Sequence, residues 1–347
     1  MSGICSSCSN CPYRCQCRVS RAEQLGAWFT RLSKLYESRR PYYDTLQVSG
    51  DPTLARRLDA LKPSRPFATL TSADQMSGWR DAVRREIIRL YHDPFGPQVN
   101  RPTIRVLREV DIDKGLSRAL VTYEASDGTT IPAYIFRPDG ERQLPGIFVI
   151  PGAGRGIVET AGIVRSYQHG AAPALARAGF VTFTPELRGF GHLGEPVGTD
   201  PSRVGRKALL IRTSYYAVLM DDLRRGFTAF LNHPSVDPSR VAVSGCSLGG
   251  DLSITLGALD TRVAAVVAQG LCHWHGERGQ RQRPEEDGSE LRGDASSIVP
   301  GEAGVAHYED RFLLLAPRPF AIVDGTLDVV DGTREVGYKT RKAGCLG

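Results

Sequence analysis

The sequence predicts an α/β fold in which helices cover both faces of a doubly wound, mostly parallel sheet. Five short apolar runs without polar alternation follow one another between residues 146 and 323, as in strands buried on both faces of a sheet. Stretches with the apolar spacing of helices lie between several of these runs. Strands that alternate with helices form parallel sheets with right-handed crossovers, so both observations favour the same fold class.

The first twenty residues form a cysteine-rich segment, and we expect this segment to be a disordered tail. It contains five of the eight cysteines of the chain. Four of the five have the spacing of an iron–sulfur ligand run, namely Cys5, Cys8, Cys11 and Cys15. A metal site at these four residues is the alternative interpretation, although Gln16 stands where such a run has proline.

Residues 21–100 are predicted to form a helical N-terminal extension. Apolar residues recur at three- and four-residue spacings in residues 22–38 and 73–92, which is typical of amphipathic helices. Neither helix contains a group of catalytic residues. We therefore interpret the extension as a cap or brace that packs on the main domain, and a role in binding a partner is the alternative.

The main domain is predicted to span residues 101–347. Three β-rich runs with turn residues between them open it, which indicates antiparallel hairpins at 104–112, 117–124 and 130–137. The buried parallel strands are predicted at 146–150, 180–184, 241–245, 263–269 and 319–323. Helices are predicted at 170–178, 206–232 and 248–259.

Composition limits the partners of the chain. The net charge of +6 comes from basic residues that are scattered rather than clustered, so nucleic acid is not expected as a partner. No apolar run reaches the roughly 20 residues that cross a bilayer, and the first twenty residues lack the apolar core of a secretory signal. We expect a cytoplasmic protein with no membrane partner, and the sequence leaves its oligomeric state open.

A candidate nucleophile lies at Ser247. Residues 245–249 read Gly-Cys-Ser-Leu-Gly, directly after an apolar strand and directly before a predicted helix. The small flanking residues permit a strained strand-to-helix turn that presents the serine hydroxyl at the edge of the sheet. The alternative is a glycine-rich turn that serves tight packing alone.

The bend after the strand at 146–150 is a second part of the candidate site. It reads Pro151-Gly152-Ala153-Gly154, and such a bend can present a backbone N–H to a substrate carbonyl. We predict Ala153 and Leu248 as the two oxyanion donors. A plain strand-to-helix turn at Pro151 remains the alternative.

A candidate acid follows the apolar strand at 319–323. The acid of such a site lies after the second strand beyond the nucleophile strand, and Asp328 has this position. Asp324 and Asp331 are the competing carboxylates nearby.

With these residues in place, the chain resembles the dienelactone-hydrolase and acetyl-xylan-esterase-like branch of the α/β-hydrolases. Three segments carry the resemblance: PELRGFGHLGEP at 185–196, LNHPSVDPSRVAVSGCSLGG at 231–250 and IVPGEAGVAHYEDRFLLLAPRPFAIVDGTLD at 298–328. The resemblance implies an α/β-hydrolase fold and a serine esterase with Ser247 as nucleophile and Asp328 as acid. It also implies a small-molecule ester as substrate and no metal or organic cofactor.

The general base is the point at which the chain departs from this pattern. The family places a histidine after the acid, and residues 329–347 contain none. We expect that the last strand and helix of the fold are missing and that activity is weak. His192, His273 and His275 are the candidates for a substitute base or for the pocket rim. A catalytically inactive binding protein with the same fold is the alternative function.

Overall fold

The computed structural model describes residues 64, 72–91, 101–140, 143–194, 201–270, 299–306 and 310–323. The chain divides into two compact units, Met1–Arg57 and Leu58–Gly347, and the first unit lies wholly outside the described residues. The predicted cysteine-rich tail and the predicted helix at 22–38 therefore lie outside them as well.

The described residues of the second unit contain one sheet of eight strands in the order β1-β2-β3-β5-β4-β6-β7-β8. The strands are β1 Arg105–Asp113, β2 Leu116–Glu124, β3 Thr130–Pro138, β4 Leu144–Ile150, β5 Val181–Pro185, β6 Val236–Cys246, β7 Ala265–Gln269 and β8 Phe320–Val323. The pairs β1–β2, β2–β3 and β3–β5 are antiparallel, and all remaining pairs are parallel. The predicted mostly parallel sheet with antiparallel N-terminal strands is confirmed.

Seven α-helices accompany the sheet within the described residues. They are α1 Ala73–Leu90, α2 Ile157–Thr160, α3 Ala171–Arg177, α4 Pro201–Leu210, α5 Tyr215–Leu231, α6 Leu248–Leu259 and α7 Asp310–Leu315. Two short 3-10 helices span Gly191–Leu193 and Glu302–Gly304. No helix in these parts of the chain is both long and apolar enough to cross a bilayer.

The single helix predicted at 206–232 is wrong, because the chain forms two helices there. Helix α4 ends at Leu210, and Arg212 then adopts a left-handed conformation with a φ of 68°. The hydroxyl of Ser214 accepts a 3.1 Å hydrogen bond from the backbone N–H of Ala217 and so caps the start of α5. A left-handed residue and a new N-cap end one helix and begin another.

The two faces of the sheet have separate apolar cores, because side chains alternate along each strand. Phe148 and Ile150 of β4 lie in the larger core, where helices α5 and α6 pack. Ile147 and Val149 of the same strand point to the smaller core under α3. Both faces of the central strands are therefore buried, as their unbroken apolar sequence requires.

Helix α1 packs on the larger core through one face. Val83 and Ile87 on this face are fully buried. Arg84 adds polar contacts, since its Nε donates to the carbonyl oxygen of Ala258 at 2.8 Å and its Nη2 donates to that of Leu314 at 2.9 Å. These contacts join α1 to the C-terminal ends of α6 and α7.

The parallel strands bring the candidate site residues to one edge of the sheet. Ile150 at the end of β4 is in register with Gly245 of β6, and Cys246 is in register with Gln269 at the end of β7. The carboxyl ends of these strands meet at this edge, which is where sites form in open α/β sheets.

Candidate active site

Ser247 occupies a strained turn between β6 and α6. Its φ is 58° and its ψ is −125°, a conformation that non-glycine residues rarely adopt. In the described residues, only His169 and Arg212 share a positive φ among non-glycines. Helix α6 begins at the next residue, so the serine lies at the positive end of the helix dipole.

Two glycines allow this turn to pack against the neighbouring strand. A Cβ on Gly249 would lie closer than 3.0 Å to the carbonyl oxygens of Ile150 and Pro151. A Cβ on Gly245 would approach the backbone of Gly249 and of Ile150 as closely. Close backbone approach therefore requires glycine at both ends of the Gly-x-Ser-x-Gly motif. Tight packing explains these two glycines, and it does not explain the strained backbone of Ser247 between them.

Leu248 and Ala153 belong to two segments that follow neighbouring parallel strands, β6 and β4. Leu248 is the first residue of α6, and the first N–H groups of a helix have no partner inside it. In the bend after β4, the N–H of Gly152 donates to the Oε1 atom of Gln168 at 2.8 Å, and Ala153, the next residue along, is exposed.

A network of side chains holds the bend at residues 151–156, here called the oxyanion loop. The hydroxyl of Tyr167 donates to the carbonyl oxygen of Ala153 at 2.9 Å. The Nε2 atom of Gln168 donates to the Oε2 atom of buried Glu159 at 2.7 Å, and Arg155 Nε donates to its Oε1 atom at 3.1 Å. The loop is thus anchored on the side of α2 and of residues 161–170.

His192 lies in the loop after β5 and is held by Glu186. Its Nδ1 atom is 3.2 Å from the Oε2 atom of Glu186, and its imidazole remains more than half exposed. Glu186 is fully buried, and burial raises the pKa of its carboxyl, although hydrogen bonds from His192 and Ile157 partly oppose this effect. The structure therefore brings an oriented histidine to the carboxyl end of β5.

Other predicted site residues lie outside the described residues, and the structure does not place them. They are Asp328 with its competitors Asp324 and Asp331, His273 and His275, and the four cysteines of the alternative metal site. Within the described ranges, no three His, Cys, Asp or Glu residues come together in a way that would hold a metal ion.

Sequence reasoning missed the residues that support the oxyanion loop. Glu186 had a detectable signal, because it is a carboxylate directly after a buried strand in a glycine-rich stretch. Glu159 had only a weak signal, its four-residue spacing from Arg155, and Gln168 had none, because apolar periodicity does not show contacts with backbone groups or between polar side chains.

The sheet order, the strained serine turn after β6 and the glycine contacts around it define a protein of the α/β-hydrolase fold. The chain belongs to the Abhydrolase family, whose family model matches residues 36–336. The predicted fold and superfamily are confirmed.

Solved structures share this fold at low sequence identity. A candidate acetyl xylan esterase from Bacteroides fragilis NCTC 9343 is 18% identical with a TM-score of 0.74, and the match covers 86% of this chain and 80% of that one. A glucuronoyl esterase from Teredinibacter turnerae is 16% identical with a TM-score of 0.55, over 86% and 80% of the two chains. One from Solibacter usitatus is 15% identical with a TM-score of 0.52, over 80% and 82%. No curated protein sequence matches the chain.

Proposed function

We propose that the chain is a serine-dependent carboxylic ester hydrolase with Ser247 as its nucleophile. The observation that carries the proposal is the backbone of Ser247, which has a positive φ at the carboxyl end of β6 and immediately precedes α6. Strain of this kind persists where the surrounding structure enforces it, and it is common at catalytic residues. The esterase names of the structures with the same fold support the same reaction class.

In the proposed reaction, the Oγ atom of Ser247 attacks the carbonyl carbon of the ester while a base takes its proton. The negative oxygen of the tetrahedral intermediate accepts hydrogen bonds from the N–H groups of Leu248 and Ala153. The intermediate collapses to an acyl-enzyme, and the alcohol leaves with the proton from the base. Water then attacks the acyl carbonyl, the carboxylic acid leaves, and Ser247 regains its proton.

The proposed acid is Asp328, which follows β8 by five residues in the sequence. The proposed base comes from His192, His273 or His275, because residues 329–347 contain no histidine. A serine hydrolase that lacks its triad histidine keeps only the part of its rate that comes from the oxyanion donors and from binding. We therefore expect slow turnover by this chain.

The alternative function is a binding protein that has the fold without the reaction. Fold alone does not distinguish the two, because function depends on the site. Such a protein would bind a small ester at the sheet edge that carries Ser247 and release it unchanged.

Hydrolysis of a short-chain aryl acetate by this chain, Ser247→Ala and Arg85→Ala tests the proposal. Arg85 is exposed on α1 and serves as a matched control. We expect slow turnover above the buffer rate in the parent and in Arg85→Ala, and none in Ser247→Ala. Equal rates in the parent and Ser247→Ala would reject the esterase. Saturable binding of the ester with no turnover in either chain would favour the binding protein.

A further inference from the structure

Glu186 is a buried carboxylate between two loops of the candidate site. It follows β5 directly and is 1% exposed. Its Oε1 atom accepts a 3.1 Å hydrogen bond from the backbone N–H of Ile157, at the end of the oxyanion loop. Its Oε2 atom accepts a 3.1 Å hydrogen bond from the N–H of His192 and lies 3.2 Å from the Nδ1 atom of that residue.

Both loops leave room for this carboxylate in the same way. A Cβ on Gly156, before Ile157, would lie closer than 3.0 Å to both carboxylate oxygens. A Cβ on Gly191, before His192, would clash equally with the Oε2 atom. Each glycine also has a positive φ, 79° and 46° respectively. Two loops 35 residues apart (191 minus 156) are thus shaped around one side chain.

The chemistry of these contacts requires an acceptor. Two of the partners are backbone N–H groups, which only donate, so both carboxyl oxygens of Glu186 serve as acceptors. Burial raises the pKa of Glu186, because a charge that leaves water is destabilised. An acid with a raised pKa lowers the stability of the fold as the pH rises through its titration. The fold therefore keeps this carboxyl in a place that disfavours its charged form, and active sites often carry such a cost in stability.

We infer that Glu186 is a positioning residue that sets the oxyanion loop and His192 relative to each other. The inference rests on the proposed function, since it assigns Ala153 and His192 to one substrate pocket. The other proposed donor, Leu248, is held by the Ser247 turn itself. Glu186 and Gln168 hold the oxyanion loop at its two ends, through Ile157 and Gly152.

The two proposed oxyanion donors can act together only if their segments keep a fixed relative position. Leu248 belongs to the β6–α6 turn, whereas Ala153 belongs to a separate loop after β4. A shift of about 1 Å between groups of this kind is enough to reduce a rate about 100-fold. A buried carboxyl that accepts a hydrogen bond from the end of the loop limits such a shift.

The test compares Glu186→Gln with the parent and with Glu109→Gln, a matched control on the distant strand β1. Glutamine preserves size but directs an amide N–H₂ group at one of the N–H donors, so one anchor is lost. Three properties are measured: hydrogen exchange of the amides in residues 153–157 and 191–193, the thermal midpoint of unfolding, and the rate at which a fluorophosphonate probe modifies Ser247. Gly156→Ala, which crowds the carboxylate from the other side, provides a second variant.

We expect exchange about 10-fold faster in both segments of Glu186→Gln, with a midpoint within about 4 °C of the parent. We also expect modification of Ser247 to slow by about 10- to 100-fold, because the probe uses the same oxyanion donors. Gly156→Ala should show the same exchange change, and Glu109→Gln should show none. Unchanged exchange in either segment would overturn the inference. Failure of the probe to modify Ser247 in the parent would instead reject the proposed nucleophile, while the exchange data still decide the role of Glu186.

Discussion

The backbone N–H of Ser247 donates a 2.9 Å hydrogen bond to the carbonyl oxygen of Gln269 at the end of β7. This bond commits the serine's own amide to the sheet, so the next amide along the chain, that of Leu248, is the first one at the helix N-terminus that the turn can offer to a substrate. It also fixes the strained serine to a neighbouring strand rather than to a loop. The turn is therefore part of the sheet edge, which gives its geometry rigid support.

The close approach of Gly249 to β4 gives a first prediction. We expect Gly249→Ala to lower the free energy of unfolding by about 3 kcal/mol or more, because the added methyl group meets backbone carbonyl oxygens that cannot move aside. Gly78→Ala is the control, since that glycine lies on the exposed side of α1 with open space around its Cα. It should stabilise the helix by up to about 1 kcal/mol. Urea unfolding of both variants measures the difference, and similar values for the two would contradict the packing described for the serine turn.

A buried ion cluster under the antiparallel strands gives a second prediction. Arg188 donates to Asp222 through Nε at 2.6 Å and to Asp127 through Nη1 at 2.5 Å. Burial raises the pKa of Asp222 to about 7 despite the hydrogen bonds from Arg188. Asp127 is less buried, and its hydrogen bonds with Arg188 and Thr129 outweigh burial and lower its pKa to about 2.

These opposite shifts predict opposite pH behaviour for two variants. An acid with a raised pKa stabilises the fold at low pH and loses that contribution as the pH rises from about 4 to about 7. The free energy of unfolding of Asp222→Asn, relative to that of the parent, should therefore rise by on the order of 2 kcal/mol between pH 5 and pH 8. Asp127→Asn should show no such change, because its carboxylate is ionised at both pH values in either state. Denaturant titrations at several pH values measure this difference in the free energy of unfolding. If the difference between Asp222→Asn and the parent does not change with pH, Arg188 offsets the burial of Asp222.

The packing of α1 gives a third prediction. Ile87 is 1% exposed in the larger core, so Ile87→Ala should cost about 2–4 kcal/mol in the free energy of unfolding. Arg85→Ala, on the exposed side of the same helix, should change it by less than about 0.5 kcal/mol. Thermal and urea unfolding provide the measurement. Equal small effects would mean that α1 is not a brace of the main domain.

Much of the fold could be predicted from the sequence, because buried parallel strands and a nucleophile in a strand–turn–helix segment leave local patterns. All eight predicted strands are present, and helix α6 begins and ends at the predicted residues, 248 and 259. The break between α4 and α5 could not be predicted, since Leu209, Leu210 and Ile211 continue the apolar pattern although they are exposed. Apolar periodicity detects the spacing of such residues and not whether a core lies beneath them.

The residues of the candidate site could be predicted only where they form a local sequence motif. Ser247, Leu248 and Ala153 follow strand ends that the apolar runs reveal. The role of Glu186 depends on Ile157, which is 29 residues away in sequence, and on a backbone donor that carries no residue-specific signal. Contacts of this kind follow from the way two loops meet in space.

The most direct test of Ser247 as the nucleophile uses a fluorophosphonate probe. Peptide mass spectrometry of the labelled parent chain and of labelled Ser247→Ala identifies the residue that the probe modifies. We expect one adduct in the parent, on Ser247, and no adduct in the variant. The modification should also be slower in unfolded parent protein, because only the folded turn strains and presents the hydroxyl. An adduct on another residue, or equal labelling of the two folded chains, would contradict the assignment of Ser247 as the nucleophile.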